Sequence, residues 1–338
     1  MKITIKEVAK ESGVSPSTVS RVISDSTRIS EETKQRVRDA MKRLGYHPNA
    51  IARSLVNKST KTIGVVMPQS TQIAILNPFY PQALSGISAA AHKEDYCIIL
   101  STGTTEAEQL ISIKEIVMSG RVDGVIVMYS SVENKILNLL REYNLPILLI
   151  GKPLNDDGIL FVDNDNVSAA YKVTNELIDR DHKKIGYISG KFEFVVSLDR
   201  LDGYRNALTE HGIKFDRDYI VTVDFLKDEG YAAMKQLLKL KERPTAIVVT
   251  DDSIAFGVIE ALKEEKIRIP EQMEIISFNN VPISRFSNPK LTSVDINAYQ
   301  LGYKSGELLI NNINNFELSE KSFIVPTEII YRESSIKK

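Results

Sequence analysis

Two groups of residues have types and spacing that could do chemistry. The first is the run Ser12-Gly13-Val14-Ser15-Pro16-Ser17-Thr18-Val19-Ser20-Arg21. It reads as a turn that opens a short, polar, outward-facing helix, the kind of helix that fits a DNA groove. The second group is scattered along the chain but recurs at one kind of place, just after apolar runs: Phe79, Gly151-Lys152, Gly190-Lys191-Phe192, Asp224-Phe225, Thr250-Asp251-Asp252 and Asn279-Asn280. These side chains are fit to hold a polyhydroxylated or anionic small molecule, with Phe79 and Phe225 offering flat apolar faces. Asp251 and Asn279 could equally cap the helices that follow them, and the two phenylalanines could be core. Covalent, redox and metal chemistry find little support. There is no Gly-x-Gly-x-x-Gly after a strand, no phosphate-binding Lys-Ser/Thr loop and no zinc-ligand spacing, and the four histidines are scattered at 47, 92, 182 and 211. His182 beside Asp181 reads as a surface pair at a helix end, and Cys97, within Tyr96-Cys97-Ile98-Ile99-Leu100, as a small core residue. The reading is therefore of a binding protein, neither an enzyme nor a holder of a cofactor or metal.

The elements that must position the first group are legible. Thr4-Ile5-Lys6-Glu7 has the form of a capping box, so a first helix should run from about residue 5 to 12, where Gly13 can stop it in the left-handed conformation. Ser15 can cap the next helix, with Pro16 at its first position. Val8, Ala9 and Val14 can share a small core with Val19, Val22 and Ile23, leaving Ser17, Thr18, Ser20 and Arg21 pointing partly outward, a helix-turn-helix arrangement. A third helix begins at Ser30, carries Glu31 and Glu32 in its first turn and ends at Gly45, with Val37, Met41 and Leu44 closing the core. The first sixty residues hold twelve Lys/Arg against six Asp/Glu, a charge of +6, while the remainder carries −7. A near-neutral total of −1 thus hides a basic head on an acidic body, and a basic head suits a polyanion. The next stretch, 48–57, has a helix start at Pro48/Asn49 but is too short to be stable alone, and it could simply be a linker.

The second group requires a different scaffold. Apolar runs at 63–67, 97–100, 124–128, 147–150, 185–188, 220–223, 246–249 and 274–278 alternate with helical patterns at 81–94, 106–119, 134–143, 166–180, 199–210, 230–239 and 254–266. Strands buried on both faces and alternating with helices mean doubly wound parallel sheets, and eight units exceed one sheet, so two side-by-side α/β lobes are expected. Ligands of such folds bind beyond the carboxyl ends of the strands, where the second group lies. Residues 68–77 read as a long loop after the first strand. At 338 residues, with 43% hydrophobic and 26% charged residues, the chain has the composition of a soluble globular protein. No apolar run is long enough to span a bilayer and Met1-Lys2-Ile3-Thr4 leads directly into the first helix, so no membrane partner and a cytoplasmic location are expected.

Lys6-Glu7-Val8-Ala9 through Val14-Ser15-Pro16-Ser17-Thr18-Val19-Ser20-Arg21-Val22-Ile23, followed by Gly45-Tyr46-His47-Pro48-Asn49-Ala50-Ile51-Ala52-Arg53-Ser54-Leu55, closely resembles the head piece of the lactose-repressor/galactose-repressor family of bacterial regulators. Ser15-Pro16-Ser17, Ile150-Gly151-Lys152-Pro153 and Ser277-Phe278-Asn279-Asn280 make it most similar to the maltose-operon repressor subgroup. The resemblance implies an all-α helix-turn-helix domain over 1–47, a hinge helix and linker over 48–60, and a periplasmic-binding-protein-like effector-binding and dimerisation domain over 61–338. Its N-lobe is expected at about 61–160 plus 293–322, its C-lobe at about 161–292 plus 323–338. It implies a ligand-responsive repressor of a carbohydrate-utilisation operon, for maltose or maltodextrin, acting as a homodimer on a palindromic operator of double-stranded DNA. The rival function is a sugar-binding sensor or transport protein of the same two-lobe fold, which would lack the basic head. The chain closes shortly after the strand-like 327–331 without a leucine-heptad tail, which favours a dimer over a tetramer.

By position, the resemblance places Thr4, Ser15, Pro16, Ser17, Thr18, Ser20 and Arg21 at the DNA. Arg21 would read guanine through a bidentate guanidinium pair, and Pro16 would offer only apolar contact. Asn49, Arg53 and Leu55 match the hinge, Leu55 on the wedge that unstacks a central base step. Phe79, Lys152, Arg200, Phe225, Asp251 and Asn279 match effector-pocket positions. Two departures stand out: Asn279 where the family commonly has Asp, and Gly151 where some sugar-binding relatives carry Asp.

Overall fold

The computed structural model describes residues 3–46, 59–68, 71–155, 158–316 and 320–335. The expected hinge at 48–57, with Asn49, Arg53 and Leu55, lies outside the described residues. The head forms α1 (Ile5–Ser12), α2 (Pro16–Ile23) and α3 (Glu31–Leu44). Local chemistry sets each boundary. The Glu7 carboxylate accepts the Thr4 amide at 2.7 Å, the Thr18 amide donates to Ser15 Oγ at 3.2 Å, and Gly13 and Gly45 end α1 and α3 at φ of 67° and 63°. Val8, Val19 and Val37, one from each helix, are fully buried where the three meet. Part of the basic excess is folded back on the head: Lys34 pairs with Asp25 and Glu31, Arg38 with Asp25 and Arg43 with Glu11, while Arg36 donates to the Ser12 carbonyl. Arg21 and Arg28 stay exposed.

The body runs β1 (Thr62–Val66), α4 (Thr71–Leu76), α5 (Phe79–Lys93), β2 (Cys97–Ser101), α6 (Glu106–Met118), β3 (Gly124–Val127), α7 (Lys135–Arg141), β4 (Ile147–Ile150), β5 (Leu160–Asn164) and α8 (Asn166–Ile178). It continues through β6 (Ile185–Gly190), α9 (Val195–Glu210), β7 (Ile220–Val223), α10 (Lys227–Leu237), β8 (Ala246–Val249), α11 (Asp252–Glu264), β9 (Glu274–Phe278), β10 (Thr292–Asp295), α12 (Ala298–Ile313), β11 (Ser322–Val325) and β12 (Glu328–Ile330). Two six-stranded sheets result, ordered β11-β5-β4-β3-β1-β2 and β12-β10-β9-β8-β6-β7. Pairing is parallel except where β12 meets β10. Each sheet is covered by helices on both faces, which is why the central strands are apolar throughout. No described helix is long and apolar enough to cross a membrane.

Several expectations need correction. The chain crosses between sheets after Asn164, after Asp295 and between Val325 and Glu328, whereas the expected lobe limits at 160, 292 and 322 cut into β5, β10 and β11. Ladder bonds decide the matter: β5 pairs with β4 and β11 in the first sheet, and β10 pairs with β9 in the second. The stretch 68–77, read as a loop, contains α4, and α9 begins at Val195, ahead of the expected 199. Cys97 is exposed, because it opens the edge strand β2. His182 is no surface partner of Asp181. It is buried, with Nδ1 2.8 Å from Thr245 Oγ1 and Nε2 3.4 Å from the buried Glu274 carboxylate.

Candidate functional site

The carboxyl ends of the strands of both lobes face one cleft, whose space, including its solvent-open mouth, is about 700 Å³. That is within the range of small-molecule sites. Five of the six expected pocket residues line it: Phe79 from the first lobe, and Arg200, Phe225, Asp251 and Asn279 from the second. Lys152 is the sixth, and it does something else. Its ammonium reaches across to Asp199 of α9 at 2.9 Å, and its amide donates to Asp163 Oδ2 at 2.9 Å, so it ties the lobes together beside the cleft.

Arg200 lies on the buried side of α9. Its Nε donates to Asn166 Oδ1 at 2.9 Å, one Nη donates to the Thr250 carbonyl at 2.7 Å, and the guanidinium sits 4.2 Å from the centroid of the Phe278 ring. Burial lowers its pKa, opposed by the neighbouring Tyr187, Asp251 and Asp163, and an arginine so placed stays charged. Asn166 continues the array, since its amide nitrogen donates to Asp163 Oδ1 at 3.0 Å. Asp163, at the end of β5, is pushed up to about 6 by burial, against the backbone amides of Lys152 and Asn164 that favour its ionised form.

Asp251 answers the question left open by its position. One carboxylate oxygen caps α11 by accepting the Ser253 amide at 2.7 Å; the other accepts Asn77 Nδ2 at 2.9 Å and Asn279 Nδ2 at 2.7 Å in the cleft wall. Capping and lining are thus done by the same group. Burial raises its pKa. Asn77 belongs to the first lobe, so this is a second bridge across the cleft. Asn279 holds its place at φ 101°, a conformation rare for a residue with a side chain. A third bridge is made by main chain alone, as Val132 N donates to Glu193 O at 2.8 Å and Val195 N to Ser130 O at 3.0 Å.

Aromatic rings complete the walls. Phe194 lies edge-on to both Tyr129 and Phe225, at 6.3 and 5.8 Å between centroids, and Phe79 packs edge-on against Tyr80 at 5.0 Å. Burial pushes the Tyr129 hydroxyl up to about 12. Phe225 can lie flat on the end of β6 only because residue 190 is glycine: a Cβ there would stand 2.1 Å from its ring. Sequence reasoning missed Asn77, Tyr129, Asp163, Asn166 and Phe194. Asn77 ends the run read as a loop, and Asp163 and Asn166 flank the end of a strand that was not recognised.

On the head, Thr4, Ser15, Pro16, Ser17 and Arg21 are exposed and Thr18 and Ser20 half-buried. Ser15 Oγ also contacts the hydroxyls of Ser17 and Thr18, at 2.8 and 2.9 Å, so the cap and the outward face share one hydroxyl cluster.

A two-lobed body that closes on a small molecule, fused to a helix-turn-helix head with an exposed polar recognition face, defines a ligand-responsive DNA-binding regulator of transcription and not an enzyme. Comparison with known proteins agrees. Residues 4–49 match the family model of bacterial regulatory proteins of the lacI family, and residues 174–335 match the periplasmic binding protein-like domain. The HTH-type transcriptional regulator MalR of Streptococcus pneumoniae serotype 4 is 41% identical over 319 residues, 93% of this chain and 94% of that protein. Among solved structures, a LacI transcriptional regulator of Bacillus cereus subsp. cytotoxis superposes with a TM-score of 0.80 at 39% identity, covering 82% of this chain and 99% of that one. The complex of the transcriptional regulator CelR with cellobiose superposes at 0.78 and 28% identity over 98% of this chain and 100% of that one. The chain belongs to the lacI family of bacterial transcriptional regulators.

Proposed function

We propose that this regulator represses a maltose or maltodextrin operon, binding a sugar effector in the interlobe cleft and a palindromic operator as a cytoplasmic homodimer. The observation that carries the reading is the lining of the cleft: aromatic faces around Arg200 and the Asn77–Asp251–Asn279 array. Amides both donate and accept, a carboxylate accepts and a guanidinium donates, a set that matches the hydroxyls of an uncharged sugar while the rings cover its apolar faces. The likeness to MalR and to the cellobiose-bound CelR supports a disaccharide or longer glucan. Phe79, Arg200, Phe225, Asp251 and Asn279 are the proposed effector contacts, and Lys152 acts through its tie to Asp199. At the DNA, Thr4, Ser15, Pro16, Ser17, Thr18, Ser20 and Arg21 would serve the major groove, and Asn49, Arg53 and Leu55 the hinge. Two-fold symmetry of the dimer would be mirrored in the operator.

Isothermal titration of the purified protein with maltose, maltotriose, cellobiose and glucose 6-phosphate tests the effector class. Saturable binding of the maltose series, with cellobiose and the phosphate much weaker, is the expected result. Tight binding of the phosphate alone would overturn it.

A further inference from the structure

The chain passes from head to body through Ser59, Thr60 and Lys61, and all three converge on one carboxylate. Asp123 Oδ1 accepts the Thr60 amide at 2.7 Å and the Thr60 hydroxyl at 2.8 Å; Oδ2 accepts the Ser59 hydroxyl at 2.6 Å and the Lys61 amide at 2.9 Å. The Asp123 amide in turn donates to the Thr62 carbonyl at 2.8 Å. Lys61 takes a left-handed conformation, φ 49°, to bring its amide in, and its ammonium lies 4.3 Å over the Tyr96 ring. Four hydrogen bonds to a single charged acceptor from three consecutive residues are more than is needed to begin β1, whose ladder with β2 and β3 would hold from Thr62 onward without them.

Asp123 stands immediately before β3, a fully buried strand between β1 and β4. Just beyond the other end of β3, a strand ~10 Å long at ~3.3 Å per residue, Tyr129 and Ser130 line the cleft, and Ser130 accepts the interlobe bond from Val195. A packed central strand does not bend easily, so it moves as a rod.

We infer that Asp123 is a positioning residue for operator binding: it fixes the exit of the DNA-binding head to the foot of β3, whose far end belongs to the effector cleft. The clamp makes the direction in which the head leaves the body follow the lobe that closes on ligand. Without Asp123, the segment ahead of Thr62 keeps the Cys97 amide on the Lys61 carbonyl, the Thr62 hydroxyl on the Thr60 carbonyl at 3.0 Å, the Lys61 amide on Ser59 Oγ at 3.3 Å, the Ser59–Tyr96 side-chain bond and the ring contact of Lys61. It loses the one group that gathers all three residues. The inference rests on the cleft being the effector site, and its test separates the two.

Asp123→Ala, Asp123→Asn and the double variant Ser59→Ala/Thr60→Val are compared with wild type. Binding is measured to a duplex selected by the wild-type protein from a randomised pool, and to a random-sequence duplex, each with and without maltose. Asp123→Ala should bind the selected duplex at least about tenfold more weakly, with random-duplex binding and calorimetric maltose affinity within about twofold. The effect of maltose on operator affinity should shrink to less than about twofold. Asp123→Asn, which keeps the acceptor for Thr60, should restore part of the loss. The double variant, which leaves β3 untouched and so decides the matter if Asp123→Ala fails to fold, should weaken operator binding at least about threefold. Wild-type operator affinity in the double variant, or equal losses on selected and random duplexes, would overturn the inference. If wild type itself does not respond to maltose, the effector reading fails, and the operator arm alone judges Asp123.

Discussion

Arg200 does two things at once, and they pull a variant in different directions. It offers its remaining N–H groups to the cleft, and it satisfies the Asn166 side-chain oxygen and the Thr250 carbonyl. Truncation to alanine removes the proposed ligand contact and also leaves two buried acceptors unpaired, a cost of about 1–3 kcal/mol for each one not reached by water. Arg200→Ala should therefore lower the melting temperature, reduce sugar affinity at least about tenfold and lose the effector response, while operator affinity without sugar stays within about threefold. Fluorescence anisotropy on an operator duplex with and without sugar checks this, and a normal response would remove Arg200 from the site. Asp251 carries the same lesson. Its position before α11 marks it equally as a cap and as a ligand contact, and its two oxygens allow both, because the cap uses one and the cleft the other.

At the scale of elements, the close approach of α5 to α12 fixes the first lobe. A Cβ on Gly302 would stand 1.8 Å from the Ala83 carbonyl oxygen and one on Gly86 2.0 Å from that of Tyr299, main-chain atoms that cannot swing aside. Alanine favours a helix interior over glycine by about 1 kcal/mol, but separating two packed helices costs about 1–3 kcal/mol or more. Gly302→Ala should accordingly lower the melting temperature measured by calorimetry, and an unchanged or raised value would show that the helices part freely. Gly302, with Gly306 four residues on, helps to explain why α12 was not legible in the sequence, since the two interrupt its apolar stripe. The strands read most easily were the apolar central ones. By contrast β10 begins Thr292-Ser293, fully buried but polar, its hydroxyls engaged by Arg332, Ser335 and Asp252 from far along the chain. Strand-end positions were legible as pocket residues because a parallel sheet delivers its carboxyl ends to one edge. The pairing of Asn77 with Asp251, 174 residues apart, was not, because it depends on how far the lobes close.

At the scale of the whole molecule, each lobe buries a carboxylate whose burial raises its pKa to about 6. These are Asp163 at the end of β5 and Asp252 at the start of α11. Asp252 is the hub of the second lobe, accepting the hydroxyls of Ser277, Ser293 and Ser284 and the Val281 amide. The hydrogen bonds lower its pKa, but burial outweighs them. Both groups titrate near 3.9 when the chain is unfolded. Between those values the folded state binds more protons than the unfolded one, so stability falls as pH rises from about 4 to about 6 and then levels off. At about 1.4 kcal/mol per pKa unit, each site contributes on the order of 3 kcal/mol of this change. Glu274, whose pKa is lowered despite the burial that opposes it, by His182 and Arg180, acts oppositely, but only at pH below its ordinary carboxylate range. The melting temperature should thus be higher near pH 5 than near pH 7, the reverse of ordinary acid destabilisation. Asp252→Asn can keep its oxygen on the Val281 amide and turn its amide nitrogen to the Ser277 and Ser293 hydroxyls. It should flatten part of the slope, the rest being carried by Asp163 and Asp251, so that the variant gains stability relative to wild type as pH rises from 5 to 7. A wild-type melting temperature that rises steadily from pH 5 to pH 7 would mean that both carboxylates are ionised at little cost inside their lobes.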